Sequence, residues 1–410
     1  MIPLTLGEVA ALAPGELRAE SWAETVTGVK IDSRRIEEGD LFVAIGSGAD
    51  FRKHAVARGA AATLVPDAAF DALAALGKAV RDRSEARVVA ITGSIGKTTT
   101  KDLLAAICAP QRRTVAAERS YNNELGVPLT LCRVEPDTEL CILELAMRGF
   151  GQIAELAALT RPEVGVVTAI APVHLEKVGS LEGVVRAKSE LIAALPAGGT
   201  AVVPAGFAVE RGDLRVVRVG EDVTLDGFEP PRLITSLGTF EVGFTARHLA
   251  VNALTALATA EVLGLDLPER IDAAFAEWRN QELELPGGGL LINDAWNAHP
   301  ISMRAALEHL AERAGSRRRV AVLGEMAELG DYADEAHREV ARAVEEVGVD
   351  VLIAVGPQAQ VYGGRQVADA AGAIEALREE LRPGDAVLVK GARVLGLETV
   401  AEALAAAVPG

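Results

Sequence analysis

The sequence predicts an α/β protein with three domains, each built on a sheet covered by helices. Short runs of β-branched and apolar residues alternate with helical patterns along most of the chain, which is typical of parallel sheets. With 410 residues the chain is too long for one ordinary hydrophobic core, and two breaks divide it. We therefore expect a small α/β domain over residues 1–84, a central parallel-sheet domain over 85–284 and a C-terminal Rossmann-like domain over 285–410.

The first domain is predicted from one short alternation of strands with a helix. Residues 40–45 and 62–66 are typical of strands, and residues 54–60 are typical of a helix that ends at a glycine. The charged run at residues 81–87 is predicted to link this domain to the next one.

The two larger domains are predicted from longer alternations of the same kind. Central strands are expected at residues 88–91, 140–143, 164–168 and 200–204, and a long Ala/Leu-rich helix is expected from Arg247. Pro286 and the three glycines after it mark the second break. Beyond this break, strands are expected at residues 290–293, 319–323, 351–355 and 386–389, with helices at 301–314, 333–347 and 368–380. G-x-G-x-x-G is missing there, so a dinucleotide cofactor is not predicted.

The composition is that of a globular protein and disfavours several classes of function. The net charge of −17 argues against binding to nucleic acid or to an anionic membrane surface. No apolar run reaches the ~18 residues of a membrane helix, and the N-terminus lacks the basic start of a signal peptide. The cysteines, Cys108, Cys132 and Cys141, lack metal-ligand spacing and are expected to be reduced core residues. We therefore expect a cytoplasmic protein.

The strongest functional motif lies between a predicted strand and a predicted helix. The β-branched run that ends at Ile91 is followed by Thr92-Gly93-Ser94-Ile95-Gly96-Lys97-Thr98-Thr99. Loop N–H groups and the helix dipole would face an anion, Lys97 would add positive charge and the Thr98 hydroxyl would bind Mg²⁺. The spacing departs from G-x-x-x-x-G-K-[ST] because position 91 is isoleucine, and the alternative is a chance Gly-Lys-Thr in a turn. We predict that this loop binds ATP.

Four further polar features follow the loop. Asn122 and Asn123 lie in an amide-rich loop, and Glu144 ends an apolar strand, where open α/β sheets bind ligands. His174 follows the next strand by a short loop, and Lys188 lies in a helical pattern. The carboxylate, the imidazole and the amine each have an ordinary alternative: a solvated or capping carboxylate, a structural histidine and a surface lysine.

Eight segments, in their order and spacing, resemble a known family. The segments are TGSIGKTTT, YNNELGVPLTL, LELAMRGFGQIAEL, HLE, AKSEL, RHLAVNALTA, DAWNAHP and VAVLGEMAELG. Together they resemble the Mur ligases of peptidoglycan synthesis, and the resemblance covers nearly the whole chain. NNELGVPLTL and GEMAELG favour the family member that joins D-alanyl-D-alanine to UDP-N-acetylmuramoyl-tripeptide. The Asp-Asn-Pro-Arg motif of the diaminopimelate-adding member is missing.

The resemblance implies an ATP-dependent amide ligase that works through an acyl phosphate. Its first domain would bind UDP and its central domain would be a P-loop ATPase. Thr98 and Glu144 would bind one Mg²⁺ and His174 a second, while Lys97 would hold the ATP phosphates with the loop backbone. Lys188 matches the family's carbamylated lysine, in which CO₂ turns the ammonium into a carbamate, an oxygen ligand suited to Mg²⁺.

The resemblance assigns further residues to the substrates. Arg279 would stabilise phosphate charge, and the nucleotide would be contacted by Asn252, Asp294 and Asn297. Substrate-binding residues are expected at Ser33, Arg34, His54, Asn122 and Asn123, of which the first three match positions that hold the UDP moiety. We expect a monomer whose partners are UDP-N-acetylmuramoyl-tripeptide and D-alanyl-D-alanine.

The chain departs from the family pattern at several positions. Tyr-Asn-Ala-Asn-Pro is replaced by Trp296-Asn297-Ala298-His299-Pro300, and Lys-Gly-Ser-Arg by Lys390-Gly391-Ala392-Arg393. Asp-Gly-His is replaced by Arg52-Lys53-His54, Ala169 stands where asparagine is common, and Trp278 stands where glycine is usual. None of these changes removes a predicted metal or phosphate ligand.

Two alternatives are left open by the residues. A folylpolyglutamate synthase-like ligase shares the phosphate loop and the carbamylated lysine. That class begins directly with the ATPase domain, so the segment Asp32-Ser33-Arg34 argues against it. A non-catalytic nucleotide-binding protein is disfavoured because the predicted phosphate and metal ligands are all present.

Overall fold

The computed structural model of the chain describes residues 1–173 and 175–406, and only the backbone of Pro286. These residues form two compact units whose segments alternate along the chain. The first contains Met1–Ala169, Arg186–Gly243 and Val251–Ala274. The second contains Ile170–Val185, Phe244–Ala250 and the chain from Phe275 onward. Among the helices of the described residues, none is long and apolar enough to span a membrane.

The N-terminal part of the first unit is a small α/β fold, as predicted. Its elements are β1 (Leu4–Thr5), α1 (Leu6–Leu12), β2 (Gly15–Ala19), β3 (Thr25–Val26), β4 (Gly28–Lys30), β5 (Asp40–Val43), α2 (Arg52–Ala57), β6 (Ala62–Pro66) and α3 (Ala69–Asp82). Four strands form a sheet in the order β2-β6-β5-β4, in which only β2 is antiparallel to its neighbour. β1 and β3 form a separate antiparallel pair.

The central part of the first unit contains the predicted parallel sheet. Its strands are β7 (Arg87–Thr92), β8 (Thr114–Ala116), β9 (Leu140–Glu144), β10 (Val164–Val167), β11 (Thr200–Pro204) and β12 (Arg215–Val219). Helices in this stretch of chain are α4 (Lys97–Cys108), α5 (Gly126–Leu131), α6 (Gln152–Thr160), α7 (Leu175–Val178) and α8 (Leu181–Ala193). Of these, α7 and the start of α8 belong to the second unit, and α8 belongs to the first unit from Arg186 onward. The strand order is β12-β11-β10-β7-β9-β8, and every neighbouring pair is parallel. Parallel strands carry their carboxyl ends at one edge, and both the predicted phosphate loop after β7 and Glu144 at the end of β9 lie there.

A second, mostly antiparallel sheet follows, and the expected alternation of parallel strands and helices is wrong there. The elements are β13 (Leu225–Glu229), β14 (Arg232–Thr235), β15 (Gly238–Val242), α9 (His248–Val262) and β16 (Arg270–Ile271). β13, β14 and β15 form an antiparallel meander, and β16 pairs in parallel with β15. These short strands bury one face, with Phe228, Leu233 and Phe240 inside and polar residues between them outside. The long helix begins one residue after the predicted Arg247.

The second unit contains the predicted Rossmann-like sheet. Its strands are β17 (Gln281–Leu285), β18 (Gly289–Asn293), β19 (Arg319–Gly324), β20 (Val351–Val355), β21 (Arg365–Val367) and β22 (Ala386–Lys390). Its helices are α10 (Pro300–Ala314), α11 (Ala333–Val347), α12 (Ala370–Glu380) and α13 (Glu398–Ala406). The order is β17-β18-β22-β19-β20-β21, and only the edge strand β17 is antiparallel. β17 was not predicted.

Helices cover both faces of this sheet, and strand side chains alternate between two cores. In β19, Ala321 and Leu323 belong to the core that contains residues of α10 and α11. Val320 and Val322 belong to the opposite core, which contains residues of α12 and α13. Because both faces are buried, these strands are continuous apolar runs, which made them predictable from sequence.

A network around Glu282 ties the segment Phe244–Ala250 to the rest of the second unit. The Glu282 carboxylate accepts hydrogen bonds from Thr245, from His309 Nε2 at 3.0 Å and from Arg313 Nη2 at 2.8 Å. Burial alone would raise the pKa of Glu282, but these hydrogen bonds together lower it to about 2. The carboxylate is therefore charged at neutral pH and holds three groups in place.

The cysteines are buried and unpaired, as expected for reduced core residues. Cys108, Cys132 and Cys141 form no disulfide. Burial raises the pKa of each thiol to about 12. A thiol with so high a pKa is almost entirely protonated at neutral pH and is a poor nucleophile.

The prediction of a charged link over residues 81–87 is wrong at both ends, and Arg81 is a buried residue of α3. α3 continues through Asp82 and β7 begins at Arg87, so the link is only residues 83–86. The Arg81 side chain is buried, and burial lowers the pKa of its guanidinium. The guanidinium donates to four backbone carbonyls, those of Thr160, Ser84, Ala86 and Arg161. Arg81 therefore ties the end of α3 to the end of α6.

We expect Arg81→Met to lower the free energy of unfolding by about 2–4 kcal/mol, because it leaves several buried carbonyl groups without a donor. The matched control is Arg83→Met, which removes an exposed ion pair with Glu8 and a hydrogen bond to the Pro3 carbonyl and should cost clearly less, because water can replace both contacts. Urea unfolding of the three proteins measures both. Equal midpoints for the two variants would contradict the role given to Arg81.

Candidate active site

The predicted phosphate loop lies between β7 and α4 in a conformation that requires glycine. Gly93 and Gly96 have φ angles of +141° and +83°, which residues with a side chain rarely adopt. A β-carbon at Gly93 would lie 2.1 Å from the Thr168 hydroxyl oxygen, and one at Gly96 would lie 2.3 Å from Asn252 Oδ1. The structure thus places Asn252, one of the predicted nucleotide contacts, directly against the loop.

Positive groups converge on this loop. α4 begins immediately after Gly96, which has no side chain to cap the first N–H groups of the helix. The N-terminus of α4, with the positive end of the helix dipole, therefore faces the loop and would attract an anion. The Lys97 ammonium donates to the carbonyl oxygens of Gly93, at 2.9 Å, and Ser94, at 3.3 Å. In a chain of net charge −17, this is a local site for an anionic ligand.

Glu144 and Thr98 form a buried pair of oxygen donors beside the loop. Glu144 ends β9 and is 1% exposed, and Thr98 lies in the first turn of α4. The Thr98 hydroxyl donates to Glu144 Oε2 at 2.8 Å, and Asn122 Nδ2 donates to Glu144 Oε1 at 2.7 Å. Hydroxyl and carboxylate oxygens are hard ligands of the kind that Mg²⁺ prefers. This donor set fits a magnesium ion, and Asn122 orients the carboxylate.

Lys188 is buried near the same groups, which excludes the alternative of a surface lysine. Lys188 lies in α8 and is 1% exposed. Burial lowers the pKa of the Lys188 amine well below its usual range, and the charge of Lys97 lowers it further, while Glu144 and Glu190 oppose the shift. Burial therefore favours the uncharged form of the Lys188 amine.

Two other buried lysines differ from Lys188 in their surroundings. Lys101 donates to the carbonyl oxygens of Ala117, at 2.6 Å, and Arg119, at 2.9 Å. Lys390 donates to Asp294 Oδ2 at 2.5 Å and to the Asn297 carbonyl at 2.9 Å. Both ammonium groups are thus used in holding backbone segments in place.

The predicted substrate-binding residues differ in their contacts. Ser33 and His54 are brought together, because His54 Nδ1 lies 2.9 Å from Ser33 Oγ. Arg34 is exposed and forms a bidentate ion pair with Asp32. The Asn123 side chain accepts the Gly126 N–H at 3.0 Å and so supports the start of α5, a structural role that was not predicted.

A cavity of about 40 Å³ beside these residues was missed at the level of sequence. It is lined by Val29, Lys30, Ile31, Asp32, Arg35, Glu118, Tyr121, Leu129 and Arg133. Arg35 Nη2 and Glu118 Oε2 are 2.6 Å apart, and Arg133 lies 3.5 Å from the same carboxylate. The only sequence feature that could have suggested Arg35 as a residue of this region is its position directly after Ser33-Arg34.

The predicted residues of the second unit lie around Lys390. Asp294 Oδ1 accepts the Asn280 N–H at 3.1 Å, and its Oδ2 pairs with Lys390, which also holds the Asn297 carbonyl. Arg279 lies beside an aromatic pair, with its guanidinium carbon 5.2 Å from the centre of the Trp296 ring. The sequence motif included Lys390 but gave no sign that it connects Asp294 with Asn297.

His174, the predicted ligand of a second magnesium ion, lies outside the described residues. Over residues 1–173 and 175–406, no group of three or more His, Cys, Asp or Glu side chains is arranged to hold a metal ion. Of the four predicted metal ligands, Thr98, Glu144, His174 and Lys188, only Glu144 is both a described residue and a histidine, cysteine, aspartate or glutamate. His174 as a ligand therefore stays a prediction.

Comparison with known proteins identifies the family. The family model of the Mur ligase middle domain matches residues 91–260, and that of the Mur ligase glutamate ligase domain matches residues 278–393. The UDP-N-acetylmuramoyl-tripeptide–D-alanyl-D-alanine ligase of Mycobacterium tuberculosis is 36% identical over 502 aligned residues, which cover 99% of this chain and 98% of the relative. The chain belongs to the Mur ligase family.

Solved structures agree with the assignment of this Mur ligase. A crystal structure of MurF from Acinetobacter baumannii superposes with a TM-score of 0.82 at 27% identity, with 98% of both chains covered. MurF ligase from Thermotoga maritima, solved in complex with ADP, superposes with a TM-score of 0.78 at 24% identity and covers 92% of this chain and 96% of that one. The α/β fold of this Mur ligase, with its parallel central sheet, is therefore that of the family.

We expect Gly96→Ala to destabilise this Mur ligase by about 2–3 kcal/mol, combining the cost of a left-handed alanine with displacement of Asn252. Gly151→Ala is the matched control: Gly151 also precedes a helix, at φ +85°, but a β-carbon there would meet nothing within 4 Å. The control should cost only about 1–2 kcal/mol. Urea unfolding tests this, and equal losses would refute the close contact between loop and Asn252.

Proposed function

We propose that this Mur ligase joins D-alanyl-D-alanine to UDP-N-acetylmuramoyl-tripeptide, an amide-forming step in the synthesis of peptidoglycan precursors. The full-length match to ligases of that name carries the proposal, because it covers 99% of this chain. It includes the N-terminal sheet, which the folylpolyglutamate synthase-like alternative lacks. Through peptidoglycan the enzyme would contribute to cell shape and cell division.

The proposed reaction activates a carboxylate before the amide bond forms. A carboxylate oxygen of the tripeptide attacks the γ-phosphorus of ATP, which releases ADP and gives an acyl phosphate. The amine of D-alanyl-D-alanine then attacks the acyl carbon, loses a proton, and inorganic phosphate leaves. Two anions meet in the first step, so the site must neutralise charge.

The phosphate loop and the groups beside it are suited to that task. We propose that the Gly93–Gly96 backbone, the N-terminus of α4 and Lys97 bind the ATP phosphates. Thr98 and Glu144 would hold one Mg²⁺, an ion that neutralises phosphate charge and orients the reacting groups. Further nucleotide contacts are proposed for Thr92, Thr99, Asn252, Asp294 and Asn297. Arg279 would stabilise the charge that develops on the transferred phosphoryl group.

We propose that Lys188 carries a carbamate. Its neutral amine would attack CO₂, forming an N–C bond and releasing one proton, and the product is an anionic oxygen ligand. The buried position and the lowered pKa of Lys188 support this, because only a neutral amine is nucleophilic. The carbamate and His174 would bind a second Mg²⁺.

The carbamate can be detected directly. We expect protein equilibrated with ¹³C-bicarbonate to show one carbamate signal in its carbon NMR spectrum, and Lys188→Ala to lose it. Lys101→Met is the matched control, since Lys101 is buried in the same unit, and it should keep the signal. We also expect Lys188→Ala to lower kcat by at least roughly 10–100-fold, because the loss of residues that only orient metal ligands already has effects of that size. A signal that persists in Lys188→Ala would assign the carbamate elsewhere.

The substrate end of the site is proposed for the N-terminal sheet and the loop that follows β8. Ser33, Arg34 and His54 would contact the UDP moiety, and Asn122 and Asn123 would border the tripeptide. Arg35 and Arg133 line the adjoining cavity, where both are paired with Glu118. We further propose a cytoplasmic monomer, with the domain boundaries predicted after residues 84 and 284.

Phosphate release from MgATP tests the proposal. We expect release only when UDP-N-acetylmuramoyl-tripeptide and D-alanyl-D-alanine are both present, with the pentapeptide product detected by mass spectrometry. Lys97→Ala should reduce release at least about 100-fold, as loss of a phosphate-neutralising group does in related chemistry. Release that depends on a folate and glutamate instead would favour the alternative ligase. Tight ATP binding without release would favour a non-catalytic role.

A further inference from the structure

The backbone is left-handed on both sides of Arg279. Trp278 has a φ angle of +61° and Asn280 one of +47°; asparagine tolerates this region, whereas a bulky tryptophan is strained in it. Strained residues persist where surrounding contacts over-determine their conformation, and such residues cluster at functional sites. The strained Trp278 and the left-handed Asn280 enclose the one arginine to which a role in phosphoryl transfer is proposed.

A stack of aromatic and cationic side chains holds Trp278 in this conformation. The rings of Trp278 and Trp296 are stacked, with centres 6.1 Å apart and planes at 18°. The guanidinium carbon of Arg393 lies 4.8 Å from the centre of the Trp278 ring and 5.4 Å from that of Trp296. Trp278 also packs against the core on the α12 and α13 face. We refer to Trp278, Trp296 and Arg393 as the tryptophan stack.

Hydrogen bonds fix the backbone on either side of the strained segment. The Trp296 N–H donates to the Trp278 carbonyl oxygen at 3.1 Å, so the two stacked residues are also joined through their main chains. The Asn280 N–H donates to Asp294 Oδ1, and Asp294 is anchored by the buried Lys390. Arg279 is thus enclosed by two anchored residues, and its guanidinium lies against Trp296.

We propose that the tryptophan stack positions Arg279 for phosphoryl transfer, with Trp278 as its principal positioning residue. The inference rests on the role proposed for Arg279. The strained backbone at Trp278 restricts the direction in which the Arg279 side chain leaves the main chain. The ring of Trp296 supports the Arg279 guanidinium by a cation–π contact. Trp278 and Arg393 act through Arg279 and have no contact of their own with the reacting atoms.

The central test is Trp278→Gly, which removes the tryptophan stack and introduces the residue that is usual in the family, one that adopts a positive φ angle without strain. We expect kcat to fall roughly 10–100-fold, since small misplacement of a group that acts in the transition state has effects of that size. KM for ATP should stay within about twofold, because uniform binding is unchanged. Trp278→Phe keeps a ring over Trp296 and should recover most of kcat. A raised KM with unchanged kcat would overturn the inference and show that the stack binds the nucleotide instead.

A double-mutant cycle with Arg279→Ala separates positioning from general structure. If Trp278 acts through Arg279, Trp278→Gly should have no further effect on kcat in the Arg279→Ala background. Additive losses would overturn the inference. Full activity of Arg279→Ala would overturn it too, while phosphate release that needs both substrates would still support the proposed reaction.

Two further variants keep the inference testable if Trp278→Gly does not fold. Arg393→Met changes an exposed residue and removes the cation above the rings together with its ion pair to Glu398, so we expect a roughly threefold loss of kcat, as for one cation–π contact. No loss in Arg393→Met together with full activity of Trp278→Phe would overturn the inference even if Trp278→Gly fails to fold. Trp22→Phe changes the third tryptophan, which is fully exposed, and should leave kcat unchanged.

Discussion

β7 is hydrogen-bonded to parallel strands on both sides, and this pairing determines where the functional groups of the first unit meet. Ile91 is paired with Glu144 of β9, and Thr92 with Val167 of β10. The loop after Thr92 and the carboxylate of Glu144 therefore leave the sheet at the same edge. A shift of one residue in either pairing would turn Glu144 to the other face of the sheet and away from Thr98. The backbone hydrogen bonds of the sheet thus place the phosphate loop and Glu144 next to each other, independently of side-chain contacts.

The three buried lysines show how surroundings decide the chemistry of one residue type. Lys101 supports the backbone before Asn122, and Asn122 in turn orients Glu144. Lys390 supports the segment that carries Asp294 and Asn297. For Lys188, desolvation favours the neutral amine. Two of these lysines therefore organise backbone, and the third is suited to react.

How much of the molecule could be predicted from sequence depends on how local the decisive contacts are. The phosphate loop was predictable because strand, glycines and helix start are adjacent in the chain. The strands of the second unit were predictable because they are buried on both faces. The meander β13–β15 was missed because its strands are short and only half-buried. Arg81, Asn123 and the tryptophan stack could not be predicted, since their partners are distant in sequence or depend on backbone conformation.

The interleaving of the two units has a consequence for dividing this protein into fragments. The second unit is not one continuous piece of chain, since it includes Phe244–Ala250 and Ile170–Val185. A fragment that starts at Phe275 would lack Thr245, one of the donors to Glu282, and His248, whose ring contacts His309 edge-on. Such a fragment would expose surfaces that the intact chain covers. A fragment designed to study the C-terminal sheet by itself should therefore also contain these two segments, joined to it by linkers if necessary.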